Sequence, residues 1–171
     1  MFEKLKEFDW ERIGDIEEGR KKLGSSMPVA LYRLMQYTIN DVLVSRYGAK
    51  ECADMMREAG YLAGHAFAKN ILNLRAEFDA FASELQEVLK KFLIGILRIE
   101  KINPSYSDIT LTISEDLDCS GLPVTDETTC IYDEGFITGI FKAYTGNFYV
   151  VREIDCWSSG DRVCRFSIKL K

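Results

Sequence analysis

The sequence has no apolar run approaching the roughly 18–20 residues that a membrane span needs. Its opening stretch, Met1–Trp10, carries three acidic residues where a secretory signal would be cationic and then apolar. A cytoplasmic protein without a membrane span is therefore expected. Positive charge is not gathered anywhere, since Lys and Arg total 22 against 27 Asp and Glu, for a formal charge of −5. Nucleic-acid affinity comes from clustered cations, so no direct contact with nucleic acid is expected. There is no G-x-G-x-x-G turn and no P-loop, which removes the usual cradles for dinucleotides and nucleotide phosphates. Histidine occurs once, at His65. No serine or cysteine has a histidine and an acid in a context that would build a nucleophile.

What is present is apolar material for a single domain: 171 residues, 47% of them apolar, enough to bury a core without cross-links. Five cysteines stand at Cys52, Cys119, Cys130, Cys156 and Cys164. In a reducing compartment a cluster in a chain of this size points to metal or catalysis before disulfides, and an odd count fits pairing poorly.

Residues 1–24 mix charges with Gly14, Gly19 and Gly24 and read as an N-terminal arm. Ser25-Ser26-Met27-Pro28 then offers a helix start, with serine to cap and proline near the first turn. Leu31, Leu34, Met35, Ile39, Val42 and Leu43 recur at three- and four-residue steps, predicting one helix with an apolar stripe that ends near Tyr47-Gly48. A second helix carries Cys52, Met56, Ala59, Ala63, Phe67 and Ile71, with Gly60, Ala63, Gly64, Ala66 and Ala68 making its middle thin. A third carries Phe78, Phe81, Leu85, Val88, Leu89, Phe92 and Leu93. Past Gly95 the apolar period falls to two, the mark of strands with one buried face. Ile109, Leu111 and Ile113 alternate with polar residues, and Cys164, Phe166, Ile168 and Leu170 do so most cleanly. Between them Phe136, Ile137, Ile140, Phe141 and Tyr144 predict a short helix closed by Gly146. Ser158-Ser159-Gly160-Asp161 supplies a turn between the last two strands. The fold class is therefore α+β, an antiparallel sheet covered by N-terminal helices, with 25–171 as one domain.

Cys119, Cys130, Glu153, Cys156 and Cys164 form the constellation with chemistry in it. A hairpin turning at Ser159-Gly160 sets Cys156 and Cys164 nearly opposite each other, where facing Cβ atoms lie about 4.5–5.5 Å apart. Two thiolates at that spacing share one ion, and a closed zinc site needs four ligands. Cys130 and Glu153 are the best further candidates. Strict alternation sets Glu153 on the face opposite Cys156, an objection that a bulge between Glu153 and Trp157 removes. The plainer reading makes Cys164 a small core residue and Glu153 a solvated strand glutamate paired with an arginine, and disulfides remain a third reading.

The stretch from Glu153-Ile154-Asp155-Cys156-Trp157 to Val163-Cys164-Arg165-Phe166 resembles the closing hairpin of the 4-vinyl reductase domain family. Cys130-Ile131-Tyr132-Asp133-Glu134-Gly135 resembles that family's cysteine-led helix, and Cys119-Ser120-Gly121-Leu122-Pro123 its upstream cysteine segment. Gly60-Tyr61-Leu62-Ala63-Gly64 is similar to its small-residue helix, and Met27-Pro28-Val29 to the start of its first helix. The similarity spans roughly residues 25–171, and the hairpin is its most specific part. It implies a ligand-binding fold shared by the sensor domains of phenol-responsive activators, nitric oxide sensors and a Golgi vesicle-tethering subunit. It also implies a structural zinc on Cys130, Glu153, Cys156 and Cys164, with Cys119 a spare thiol or an alternative ligand. Haem is not expected, because the context of His65 does not match the haem sensors.

The thin middle of the second helix is a candidate ligand wall, with His65, Tyr61, Phe67 and Trp157 as candidate contacts. Close helix-on-helix packing explains the same small residues equally well. Three functions follow. The first is a stand-alone, zinc-stabilised domain that binds a small hydrophobic or aromatic molecule as sensor or carrier, passing its signal to a separate partner. The second is a homodimeric interaction scaffold like the vesicle-tethering subunit. The third, a tetrapyrrole vinyl reductase component, lacks any nicotinamide or flavin motif.

Overall fold

The computed structural model describes Phe2, residues 5–125 and residues 128–171; residues 1, 3 and 4 of the 1–24 arm lie outside the described residues. The described arm holds a 3-10 turn at Trp10–Ile13 and a single helical turn, α1 (Ile16–Gly19), capped by the Asp9 and Asp15 side chains, and neither turn buries a residue. Three longer helices follow: α2 (Val29–Tyr47), α3 (Ala49–Ile71) and α4 (Phe78–Lys91). After them come β1 (Ile96–Ile102), β2 (Asp108–Ser114), α5 (Ile131–Thr145), β3 (Tyr149–Asp155) and β4 (Cys164–Leu170).

The four strands pair antiparallel in the order β1-β2-β4-β3, so the cleanly alternating last strand occupies the interior of the sheet. Its Phe166 and Ile168 are fully buried, as are Ile109 and Leu111 opposite them on β2. Each such side chain contributes about 1.5–3 kcal/mol by leaving water. Ile137, Ile140 and Phe141 of α5 and Phe81, Leu85 and Leu89 of α4 complete one continuous core with them. The mixed α and antiparallel architecture is the expected one.

Three local expectations change. No serine caps α2; Pro28 holds the N-cap position and no side chain bonds there. Its apolar stripe does not face the core: Leu31, Leu34, Met35, Ile39 and Val42 are each about half exposed. The opposite, polar face packs inward instead, because it has better partners there. Tyr32 and Gln36 donate to the Asp118 carboxylate at 2.8 and 2.9 Å, Tyr37 donates to the Asp118 carbonyl, and Arg33 donates to the carbonyls of Asp116, Leu117 and Ser120. Finally, α4 stops at Lys91 and leaves Phe92 and Leu93 exposed, with Leu93 in the left-handed region at φ 59°, which ends the helix.

The thin middle of α3 is explained by α5. Gly60 and Gly64 lie against α5, while Gly135 and Gly139, at the same four-residue spacing, lie against α3. Each glycine faces a backbone carbonyl of the other helix, of Tyr132, Phe136, Arg57 and Tyr61 respectively. Helix-on-helix packing, the second of the two readings of these small residues, is what they do.

Candidate metal centre

Four elements deliver one cysteine each. The segment after β2 supplies Cys119, the N-cap of α5 supplies Cys130, the residue after β3 supplies Cys156, and the first residue of β4 supplies Cys164. All four are fully buried or nearly so, and their sulfurs lie within 4.8 Å of one another. Cys119 Sγ is 3.0 Å from Cys164 Sγ, which is 3.7 Å from Cys130 Sγ, which in turn is 3.9 Å from Cys156 Sγ. Tetrahedral zinc with bonds of about 2.3 Å separates its sulfurs by about 3.8 Å. The donor set therefore fits such an ion in number, element and spacing.

Cys164 heads β4 as expected, and Cys156 follows β3 rather than lying within it. The connection between them is a 3-10 turn, Trp157–Ser159, closed by Gly160 in the left-handed region, so it is wider than a two-residue hairpin loop. The β3–β4 register slips between Glu153 and Asp155, the position where a bulge was required. Glu153 reaches the centre: its Oε2 accepts the Cys130 N–H at 3.0 Å, and its Oε1 is buried with no hydrogen-bond partner among the described residues. Five donors thus stand at one point, with Cys119 in the sulfur cluster and Glu153 beside it.

Beside the centre lie carboxylates whose importance did not emerge from the sequence: Asp116, Asp118 and Asp133 are all buried. Asp116 Oδ1 accepts the N–H groups of Asp118 and Cys119, shaping the turn that presents Cys119. The signal available was the Asp116-Leu117-Asp118-Cys119 run, two short acceptors at turn spacing before a cysteine. Glu134 fastens the elements from behind. Its Oε2 takes Arg57 and Arg152, and its Oε1 accepts the Glu153 N–H at the edge of the sheet.

Burial pushes Glu153 up to about 8, and burial together with the neighbouring Asp118 pushes Asp116 up to about 7. Asp133 is driven well above the usual carboxylate range, chiefly by burial. Hydrogen bonds among the thiols raise Cys130 far above the ordinary thiol value, and as acceptor Cys156 falls far below it. Without an ion the sulfurs cannot all ionise together. Acids raised on folding contribute stability that is full below their unfolded values and is lost as the pH climbs through the folded ones. The chelated, reduced chain should retain more helicity near pH 5 than near pH 8. Metal affinity runs the other way, since thiolates must be free of protons. Circular dichroism with and without zinc across that range reads both slopes.

The four candidate ligand contacts do not converge. Tyr61 stacks on Phe2 at 4.4 Å and lies near His65 and Phe148. His65 Nδ1 is 4.0 Å from the Glu7 carboxylate, and burial lowers its pKa. Phe67 sits in the core against Phe136 and Phe92, and Trp157 donates to the Leu122 carbonyl at the hairpin end. Phe2 and Phe148 do line a cavity of about 320 Å³, whose wall also carries Arg57, Arg152 and Lys171. A second cavity of about 250 Å³ lies between Tyr37, Cys52, Thr129 and Tyr132. Between α4, α5 and the sheet only about 10 Å³ is open, lined by apolar side chains and Asp133. No helix among the described residues is long and apolar enough to cross a membrane.

Residues 109–170 match the family model of the 4-vinyl reductase domain. The chain is 25% identical over 151 residues to an uncharacterized protein of Methanocaldococcus jannaschii, covering 88% of this chain and 82% of the relative. Among solved structures it is similar to the phenol-responsive sensory domain of the transcription activator PoxR with phenol, at TM-score 0.67 and 15% identity over 84% of this chain and 75% of that one. A vinyl-4-reductase family protein from Methanocaldococcus jannaschii matches at TM-score 0.64 and 18% identity over 98% of both chains. Trafficking protein particle complex subunit 3 from Naegleria fowleri, covalently bound to palmitic acid, matches at TM-score 0.66 and 14% identity over 84% of this chain and 95% of that one. The resemblance carried by the cysteine-led helix and closing hairpin is thus to the 4-vinyl reductase domain, whose sequence match lies at residues 109–170 within a fold common to these sensory, vinyl-4-reductase and trafficking proteins.

Proposed function

We propose that the protein is a zinc-stabilised domain that binds a small hydrophobic or aromatic molecule, as sensor or carrier. The observation that carries this reading is the meeting of Cys119, Cys130, Cys156 and Cys164, four buried sulfurs within 4.8 Å contributed by four separate elements. They would hold the ion as a closed, structural site, which supplies folding energy rather than a reactive position. Glu153, from the set implied by resemblance, is the donor that would replace Cys119 with Cys130, Cys156 and Cys164 retained.

Two solved neighbours of this fold hold phenol and palmitic acid, which supports an apolar ligand for this chain. The cavity of about 320 Å³ is of ligand size. Its Phe2 and Phe148 rings offer faces to an apolar body, and Tyr61 backs Phe2 by stacking. Arg57, Arg152 and Lys171 favour an acidic group on the same molecule. Native mass spectrometry, followed by denaturing extraction, tests the reading. Zinc together with an apolar acid in the extract is the expected result, and a preparation holding neither metal nor ligand would end it.

One observation favours homodimerisation as well. Leu31, Leu34, Met35, Ile39 and Val42 form an exposed stripe on a helix whose other face is already engaged. Monomers rarely expose a contiguous apolar patch of this kind. Light scattering should give a dimer mass, and Leu34→Asp combined with Met35→Asp should give a monomer with unchanged metal content; a native monomer removes this part.

A further inference from the structure

Asp133 is the buried acid that the thiol centre does not use. It is 7% exposed, and its Oδ2 has no hydrogen-bond partner among the described residues. Its carboxylate lies within 4.8 Å of both an Asp116 oxygen and the Cys130 sulfur, and all three residues are buried. Neither aspartate is ion-paired with a Lys, Arg or His among the described residues: Arg57 and Arg152 are taken by Glu134, and Arg33 bonds backbone carbonyls. A buried carboxylate with an open lone pair and no cation is costly unless something is bound to it.

We infer that the thiol centre continues into a second divalent-cation subsite made by Asp116, Asp133 and Cys130, with the Cys130 sulfur shared between the two. The inference rests on the metal-centre reading above and extends it. One divalent ion on four thiolates leaves two negative charges, and ionised Asp116 and Asp133 add two more; a second divalent ion offsets those. Two carboxylate oxygens and a thiolate are ligands that zinc accepts. The position of Asp133 also accounts for a fourth, non-protein ligand. It is the polar side chain on the wall of the 10 Å³ cavity between α4, α5 and the sheet, a space that admits one water.

The test is metal stoichiometry on the reduced full chain, reconstituted with cobalt(II) in one arm and zinc in another, freed of loosely held metal by dialysis, and read by elemental analysis. The native protein should hold about two ions per chain. Asp133→Asn should hold about one and keep the intense thiolate-to-cobalt absorption of the sulfur site. Asp116→Asn, whose carbonyl oxygen can still accept the Asp118 and Cys119 N–H groups, should behave in the same way and serves if the first variant does not fold. One ion per native chain with full thiolate-to-cobalt absorption overturns the second subsite and leaves the thiol centre standing. Two ions in either aspartate variant also overturn it. A native chain that binds no metal removes both.

Discussion

Gly64→Ala is expected to destabilise the protein by about 3 kcal/mol or more, at the upper end of what overpacking does in cores. A Cβ at Gly64 would overlap the Phe136 carbonyl oxygen and stand 2.7 Å from its carbon. The atoms it meets are backbone, so no side chain can swing aside, and α3 and α5 must part. The partner glycine Gly139 faces the Tyr61 carbonyl oxygen in the same way. Against this, alanine gains only about 1 kcal/mol of helix propensity over glycine. The clash wins. Gly19→Ala is the contrast: nothing lies within 4 Å of its added Cβ, and a shift within about 0.5 kcal/mol is expected there. Urea unfolding of the two variants against the native chain reads the difference. The effect should also reach the metal, because Cys130 is the residue that caps α5 and moves with it.

Cys130→Ser is expected to lose the ion and cooperative folding together. Cys130 makes two of the three close sulfur contacts described above and anchors Glu153 through its N–H. Structural zinc sites contribute an apparent ~10–16 kcal/mol near neutral pH. Whole domains are stable by about 5–15 kcal/mol, so removing the ion takes away a quantity comparable to the entire stability. The four sulfurs also fasten the ends of β3 and β4, the start of α5 and the loop clamped by α2, elements that otherwise meet at buried, ionisable groups with no counter-charge. Cys52→Ser is the control. Cys52 is equally buried but lies apart, its thiol bonded to Asn40 Oδ1 at 3.2 Å, so that variant should keep its metal and unfold cooperatively. Elemental analysis and thermal unfolding under reductant distinguish the two. Full metal content and a sharp transition in Cys130→Ser would show that the sulfur cluster does not organise the fold.

The sheet and helices were legible because burial imposes periods on them, most plainly the alternation from Cys164 to Leu170, which lies between two neighbouring strands. Three metal-site residues could be read from the closing hairpin and the cysteine-led helix. Cys119 could not be ranked against Glu153, because the loop that brings it close is shaped by Asp116 and held by Tyr32, Arg33 and Tyr37, contacts more than 80 positions apart in sequence for the α2 clamp. The face of α2 was misjudged for a related reason. Periodicity locates an apolar stripe but does not say whether the core or another surface receives it, and here long-range hydrogen bonds turned the polar face inward. The glycine pair on α3 was visible, but its meaning depended on the matching pair at Gly135 and Gly139 on α5. Tyr61, His65, Phe67 and Trp157 each suit a ligand by type, yet packing distributes them among a stacked surface cluster, the core and the hairpin end.

That the four sulfurs hold a metal ion, and that this ion stabilises the fold, is tested with least ambiguity by the metal content of the reduced protein. The chain is purified without added metal and followed by native mass spectrometry as it unfolds. At least one zinc per chain, released only as the fold is lost, is the expected result. A metal-free chain that unfolds cooperatively with all five thiols reduced would contradict it.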